Sequence, residues 1–352
     1  MRTLLRPEIE RLSEYTLRER SCRIKLNQNE NPFELPHEIK EEVLRRVGAQ
    51  HWSRYPAFVP GAQIERVARF AGWTPEGVLL GNGSNDLLQL LFTCAIGPGR
   101  GLVLSQPTFT LYRLLAETLG AEVTDVPMTA SFEFDVDGVI AAARRTHAAM
   151  VVLCSPNNPT GTQLPRADLE RILASTEGLV AVDEAYVQFA GSSVVPLLGQ
   201  NERLVVLQTF SKAMGAAGLR FGYALLAPSL ARQLAKAKLP YSVNIFTLTA
   251  AEVFMERWES LRSWIGVLVA EREKLFRALG GMEGVRVHPS SANFLLFETL
   301  RKTPAEVFEA MLGKGILIRD VSRYPMLSRG LRVSVGTPEE NCGFLDALRE
   351  AV

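Results

Sequence analysis

From about residue 76 the chain alternates short apolar runs with amphipathic stretches, and that alternation predicts its elements. VLLGNGSNDLLQLLF reads as strand, glycine turn and helix, and GLVLSQPTF as a strand entering a loop. AEVTDVPM and AAMVVLCSPNNPTG are strands running into polar turns, and PRADLERILAS is a helix. GLVAVDEAY, RLVVLQTFSK and FGYALLAP are three further strands. None shows the polar alternation of a half-exposed sheet. Separated by helices, they predict an α/β fold with a mostly parallel sheet covered on both faces, whose binding loops gather at the carboxyl ends of the strands. The C-terminal third changes character. Long helical segments over about 246–280 precede VRVHPSSANFLLFE, TPAEVFEAMLGKG, ILIRD, LRVSVGT and a last helix, PEENCGFLDALREAV, a mixture suited to a small α+β domain. The expected organisation is a polar arm over 1–35 holding NQNENPF, a large domain over 36–245 and a small domain over 246–352.

Composition narrows the function. A net charge of +1 over 352 residues gives no basic surface for a polyanion, so no nucleic-acid partner is expected. The start, MRTLLRPEIERL, is too charged for a secretory h-region, and no apolar run reaches the length of a membrane span. Cys22, Cys94, Cys154 and Cys342 lie far apart, which favours reduced thiols and a cytoplasmic setting, and the four histidines fall at no metal-ligand spacing.

Five polar clusters follow apolar strands or turns: GNGSND (81–86), QPTF (106–109), SPNNPTG (155–161), DEAY (183–186) and TFSK (209–212). Each alone has an ordinary structural reading. GNGSND is a strand-to-helix turn with Ser84 as its N-cap, SPNNPTG a surface loop, the Asp of DEAY the start of a loop, and Lys212 a solvated lysine. Together they meet the needs of one cofactor, pyridoxal phosphate. It requires a lysine for a Schiff base, a carboxylate against its pyridine nitrogen, and an aromatic face over the ring. Its phosphate calls for helix N-terminal amides, small hydroxyls and an arginine fork, and its ring oxygen for an amide and a phenol.

SPNNPTG, DEAY and SKAMGAAGLR, in that order and spacing, resemble the signature of fold-type I aminotransferases. With NENPF at 29–33, RYP at 54–56 and LRVSVGTPEE at 331–340, the chain is similar to the histidinol-phosphate aminotransferase family from about Tyr15 to Glu340. That resemblance implies a fold-type I pyridoxal-phosphate transferase and assigns roles residue by residue. Lys212 is the Schiff-base lysine and general acid/base, Asp183 pairs with the pyridinium nitrogen, and Tyr186 and Asn158 meet the ring oxygen. Ser84, Asn85, Thr209, Ser211 and Arg220 hold the phosphate, and Phe109 stacks on the ring. Tyr55 reaches the phosphate of a partner subunit's cofactor in a homodimer. Arg332 grips the substrate α-carboxylate, Arg319 a substrate phosphate, and Tyr15 and Asn29 close over the substrate. The implied reaction is a ping-pong transamination between histidinol phosphate and 2-oxoglutarate, in histidine biosynthesis.

Three positions depart from the family pattern. Asn85 stands where an acid is usual, Phe109 where tyrosine is common, and no proline-glycine turn follows Tyr15. Two alternatives share the cofactor residues: an aminotransferase for aromatic or other amino acids, and an amino-acid-phosphate decarboxylase. A ligand-sensing regulator on the same fold is a remote third, since the forty residues around and before NENPF are too few for a winged helix.

Overall fold

The computed structural model describes residues 4–12 and 20–352, so Tyr15 lies outside the described residues. A seven-stranded sheet runs in the spatial order Val78–Gly81, Gly222–Leu226, Leu204–Thr209, Leu179–Asp183, Met150–Cys154, Leu102–Gln106, Val123–Pro127. Only Gly222–Leu226 runs against the others, antiparallel to both its neighbours. The remaining pairings are parallel. Successive residues of each strand feed opposite faces, as the pleat dictates. Val151, Leu153, Val180 and Val182 enter one core cluster, and Met150, Val152, Cys154 and Ala181 enter another. Burial on both sides is why these strands carry no polar alternation.

Gln208 is the exception within its apolar strand, and a buried network accounts for it. Its amide donates to the Glu184 carboxylate at 2.7 Å, and its carbonyl accepts from the Tyr223 hydroxyl at 2.6 Å. Glu184 also accepts from Ser193 Oγ at 2.6 Å and from the Val194 amide at 2.7 Å. A buried carboxylate satisfied on both oxygens pins the turn that follows Asp183.

A third cluster lies under a four-stranded antiparallel sheet, in the order Arg319–Asp320, Gly330–Ser334, Phe294–Thr299, Val285–Val287. Helices Ser263–Gly280, Pro304–Gly313 and Pro338–Ala351 cover it, the last two opened by Thr303/Glu306 and Thr337/Glu340 capping boxes. The short strand Ile24–Lys25 pairs in parallel with Ile316–Leu317, which brings this part of the N-terminal segment to the C-terminal unit. The expectation that the small domain begins at residue 246 differs from the packing. Helix Ile245–Glu256 puts Leu248, Ala250, Val253 and Phe254 into the core of the large sheet, with Leu261 after it. Beyond that helix, the chain packs against the third cluster from Ile265 and Leu268 onward. Among the described residues no helix is long and apolar enough to cross a membrane.

Candidate active site

Gly81, Cys154, Asp183 and Thr209 all end strands on one edge of the large sheet, and a cavity of about 310 Å³ opens there between the two units. Its walls include Ser84, Asn85, Phe109, Asn158, Asp183, Tyr186, Thr209, Ser211, Lys212, Arg220, Arg319 and Arg332, as well as Asn29. Thirteen of the expected site residues thus share one space, although they are spread over some three hundred positions.

One end of the cavity is a cup of donors. The helix Ser84–Ala95 begins here after Gly83, and no side chain caps its first amides, so Ser84 is the first helical residue and not a side-chain N-cap, the ordinary alternative reading. Arg220 Nη1 donates to Ser211 Oγ at 3.1 Å, and Thr209 Oγ1 lies 2.9 Å from the same oxygen. Thr209 supports Ser211 through this contact and through the Phe221 carbonyl at 3.0 Å. Arg220 reaches the cup because Gly83 has no side chain: a Cβ there would sit 2.4 Å from Arg220 Nη2. Gly222, opposite, leaves the same helix start clear, since its Cβ would fall 2.3 Å from the Ser84 amide nitrogen. A helix N-terminus, a hydroxyl and a guanidinium converging on one point form an anion site.

The floor carries a buried carboxylate. Asp183 Oδ1 accepts from the Ala185 amide at 3.1 Å and Oδ2 from the Tyr112 hydroxyl at 2.6 Å. Both donors are neutral. Burial pushes the Asp183 carboxyl up, while the two donors and the Lys212 charge oppose that rise. Burial likewise pushes the Cys154 thiol, at the end of the neighbouring strand, well up. Phe109 stands edge-to-face on Tyr112, with ring centroids 5.6 Å apart.

Lys212 Nζ donates to the Gln28 carbonyl at 2.8 Å. Desolvation, with Arg332 adding to it, brings the amine down to about 8. Asn158 Oδ1 accepts from Arg332 Nη1 at 2.5 Å, which turns its amide NH2 away from the guanidinium. Arg332 Nη2 donates to the Asn27 carbonyl at 2.7 Å, and its guanidinium carbon lies 5.3 Å over the Phe294 ring. Asn29, only 1% exposed, donates through Nδ2 to the Tyr186 hydroxyl at 3.1 Å and accepts from Ser334 Oγ at 3.1 Å. Both ends of that amide are engaged by protein, so the side chain positions Tyr186. Tyr186, accepting from Asn29, retains its proton for an acceptor in the cavity, and burial holds its phenol well above the usual range.

Tyr55 is not brought to this cavity in the single chain. It is 80% exposed and stacks on Tyr241 at 4.6 Å, with Phe58 edge-on to the same ring at 5.7 Å. Several cavity residues carried no signal in the sequence: Tyr112, Cys154, Asn27, Gln28 and Tyr324. Asn27 and Gln28 contribute backbone carbonyls, to which sequence patterns are blind.

An anion cup, an amine of lowered basicity and a buried carboxylate at the carboxyl edge of a mostly parallel sheet define a fold-type I transferase. The comparisons agree. The chain belongs to the aminotransferase class I and II family, whose model matches residues 23–348, and within it to the histidinol-phosphate aminotransferase family. It is 39% identical over 348 residues to histidinol-phosphate aminotransferase of Chlorobium phaeovibrioides, covering 98% of this chain and 96% of that one. The counterpart of Desulfitobacterium hafniense is 38% identical over 351 residues, with the same two coverages, 98% and 96%. Among solved structures, histidinol-phosphate aminotransferase of Sinorhizobium meliloti in complex with pyridoxal-5'-phosphate superposes with a TM-score of 0.89. That match is at 23% identity over 99% of this chain and 97% of the other, and so speaks to the fold.

Proposed function

We propose that the chain is a pyridoxal-phosphate-dependent aminotransferase that moves an amino group between histidinol phosphate and 2-oxoglutarate in histidine biosynthesis. The observation that carries this reading is the pairing, in one cavity, of Lys212, with its amine near 8, and the buried Asp183 carboxylate held by neutral donors alone. A buried carboxylate so placed favours a cation beside it, and a protonated ring nitrogen is one. The cup at Ser84, Asn85, Ser211 and Arg220 suits a phosphate dianion. The Tyr186 proton and the Asn158 NH2 suit a ring oxygen, and Phe109 offers an aromatic face. The donor set thus fits the cofactor group by group.

When bound, the cofactor supplies a carbonyl carbon for the amino group and an electron sink for the charge left at the substrate Cα. Lys212 accepts the Cα proton on Nζ, for which an amine near 8 is suited at neutral pH. Asp183 keeps a negative charge on the cavity floor. Arg332 presents a planar fork to a carboxylate, and Arg319, on the same cavity wall, adds a second cation for the phosphate monoester. The two together serve the two anions that must enter in turn in a ping-pong reaction.

We also propose a cytoplasmic homodimer in which Tyr55 reaches the partner's cup. The exposed aromatic surface of Trp52, Tyr55, Phe58 and Tyr241 supports it. Sedimentation at micromolar concentration tests this, and a monomer would overturn it. Function is tested by coupled kinetics with histidinol phosphate and 2-oxoglutarate, run against phenylalanine and threonine phosphate. Turnover confined to the first pair is expected, and none with histidinol phosphate refutes the assignment.

A further inference from the structure

Tyr112 belongs to the helix Leu111–Thr118, and its phenol is completely buried. A buried hydroxyl needs a partner, and this one donates at 2.6 Å to a carboxylate, the short, charge-assisted kind of contact. The same ring packs edge-to-face against Phe109, interplanar angle 89°, three residues earlier on the turn leading into the helix. One side chain thus touches both the carboxylate on the cavity floor and the aromatic ring at its wall. The Ala185 amide fixes Asp183 Oδ1, and Tyr112 fixes Oδ2, so the carboxylate plane is set by two donors on different elements. Rotation of Asp183 would leave a fully buried phenol only the Cys154 sulfur, a weak acceptor, in place of a carboxylate.

We propose that Tyr112 is a positioning residue for cofactor binding and turnover: its hydroxyl orients Asp183 toward the ring nitrogen, and its ring edge holds Phe109 in the stacking plane. This rests on the reading that Asp183 meets that nitrogen. Removing the hydroxyl leaves the carboxylate with one fixed donor. Its charged form, the form that can pair with a ring cation, then loses support inside a desolvated cavity.

The test is Tyr112→Phe, which conserves ring and volume. Apo protein is titrated with pyridoxal phosphate, and melting temperatures are recorded with and without it. The cofactor dissociation constant is expected to rise roughly tenfold, the equivalent of one hydrogen bond to a charged group. The cofactor-induced rise in melting temperature should shrink, and kcat should fall with KM for the amino substrate unchanged. In an Asp183→Asn background the same substitution should alter the dissociation constant less than twofold. If Tyr112→Phe does not fold, Tyr112→His, which keeps a donor, is compared with Tyr112→Leu, which keeps none, and only the former should retain cofactor affinity. An equal loss of melting temperature with and without cofactor, at unchanged affinity, would reduce Tyr112 to a packing residue and overturn the inference. A wild-type protein that takes up no pyridoxal phosphate would instead overturn the cofactor reading beneath it.

Discussion

Gly83→Ala separates backbone strain from cofactor recognition. Gly83 has φ of +82° and ψ of 164°, a region essentially reserved for glycine, where an L-residue costs about 1–3 kcal/mol. That part of the penalty falls on folding and is present with or without cofactor. The new methyl would also lie 2.4 Å from Arg220 Nη2 and 3.1 Å from its central carbon, so the guanidinium must leave the cup. Losing one charge-assisted hydrogen bond to a phosphate costs about 1.5–3 kcal/mol, or roughly 10- to 100-fold in affinity. The assay is fluorescence titration of apo protein with pyridoxal phosphate, beside urea unfolding of the apo form. Gly83→Ala should weaken both, whereas Arg220→Ala should weaken binding alone. The double variant should bind no worse than Arg220→Ala, because both changes remove the same contact. Full cofactor affinity in Gly83→Ala, at reduced stability, would refute the placement of Arg220 in the phosphate cup.

Lys212→Ala should abolish transamination and the lysine-dependent visible absorbance of the bound cofactor while the fold persists; retained turnover would remove Lys212 from the mechanism. The folded amine lies near 8 against an ordinary 10.5, so the unfolded chain binds more protons between those values and Lys212 lowers stability fully below pH 8. Apo Lys212→Met should accordingly be more stable than wild type at pH 7, by up to about 3 kcal/mol, and unfolding titrations should show that gain fading as pH rises toward 10.5. Arg332→Ala should weaken the amino-acid half-reaction by about 2–4 kcal/mol, measured as kcat/KM for the amino donor, and an unchanged value would place the carboxylate elsewhere.

The residues proposed to face the cofactor were legible because their chemistry is carried by side chains that sit directly after apolar strands. Asp183, Thr209 and Lys212 needed only the end of a strand to locate them. Tyr112 was not legible: in LYRLLAE it reads as one more apolar residue of an amphipathic helix, and only the packing of that helix brings its hydroxyl to a carboxylate 71 positions away. Asn29 lines the cavity, but the contacts of its amide with Tyr186 and Ser334, 157 and 305 positions off, leave no trace in the sequence. Helix Ile245–Glu256 is apolar nearly all round, with Leu248, Ala250, Ala251 and Val253 all buried, so periodicity could not say which core it joins. The fold class survives such gaps because it depends on the order of strands and helices and not on any one boundary.

Asn27, Gln28 and Asn29 each hold a different functional group: Arg332, Lys212 and Tyr186. Consecutive Cα atoms are fixed at about 3.8 Å, so these three contacts cannot be adjusted one at a time. The segment is in turn stitched to the C-terminal unit by the pairing of Ile24 with Ile316 and of Lys25 with Leu317. It behaves as a tether with three hooks in one cavity and its anchor in the other half of the molecule. Any shift of one half against the other is thereby delivered to Arg332, Lys212 and Tyr186 in a single stroke.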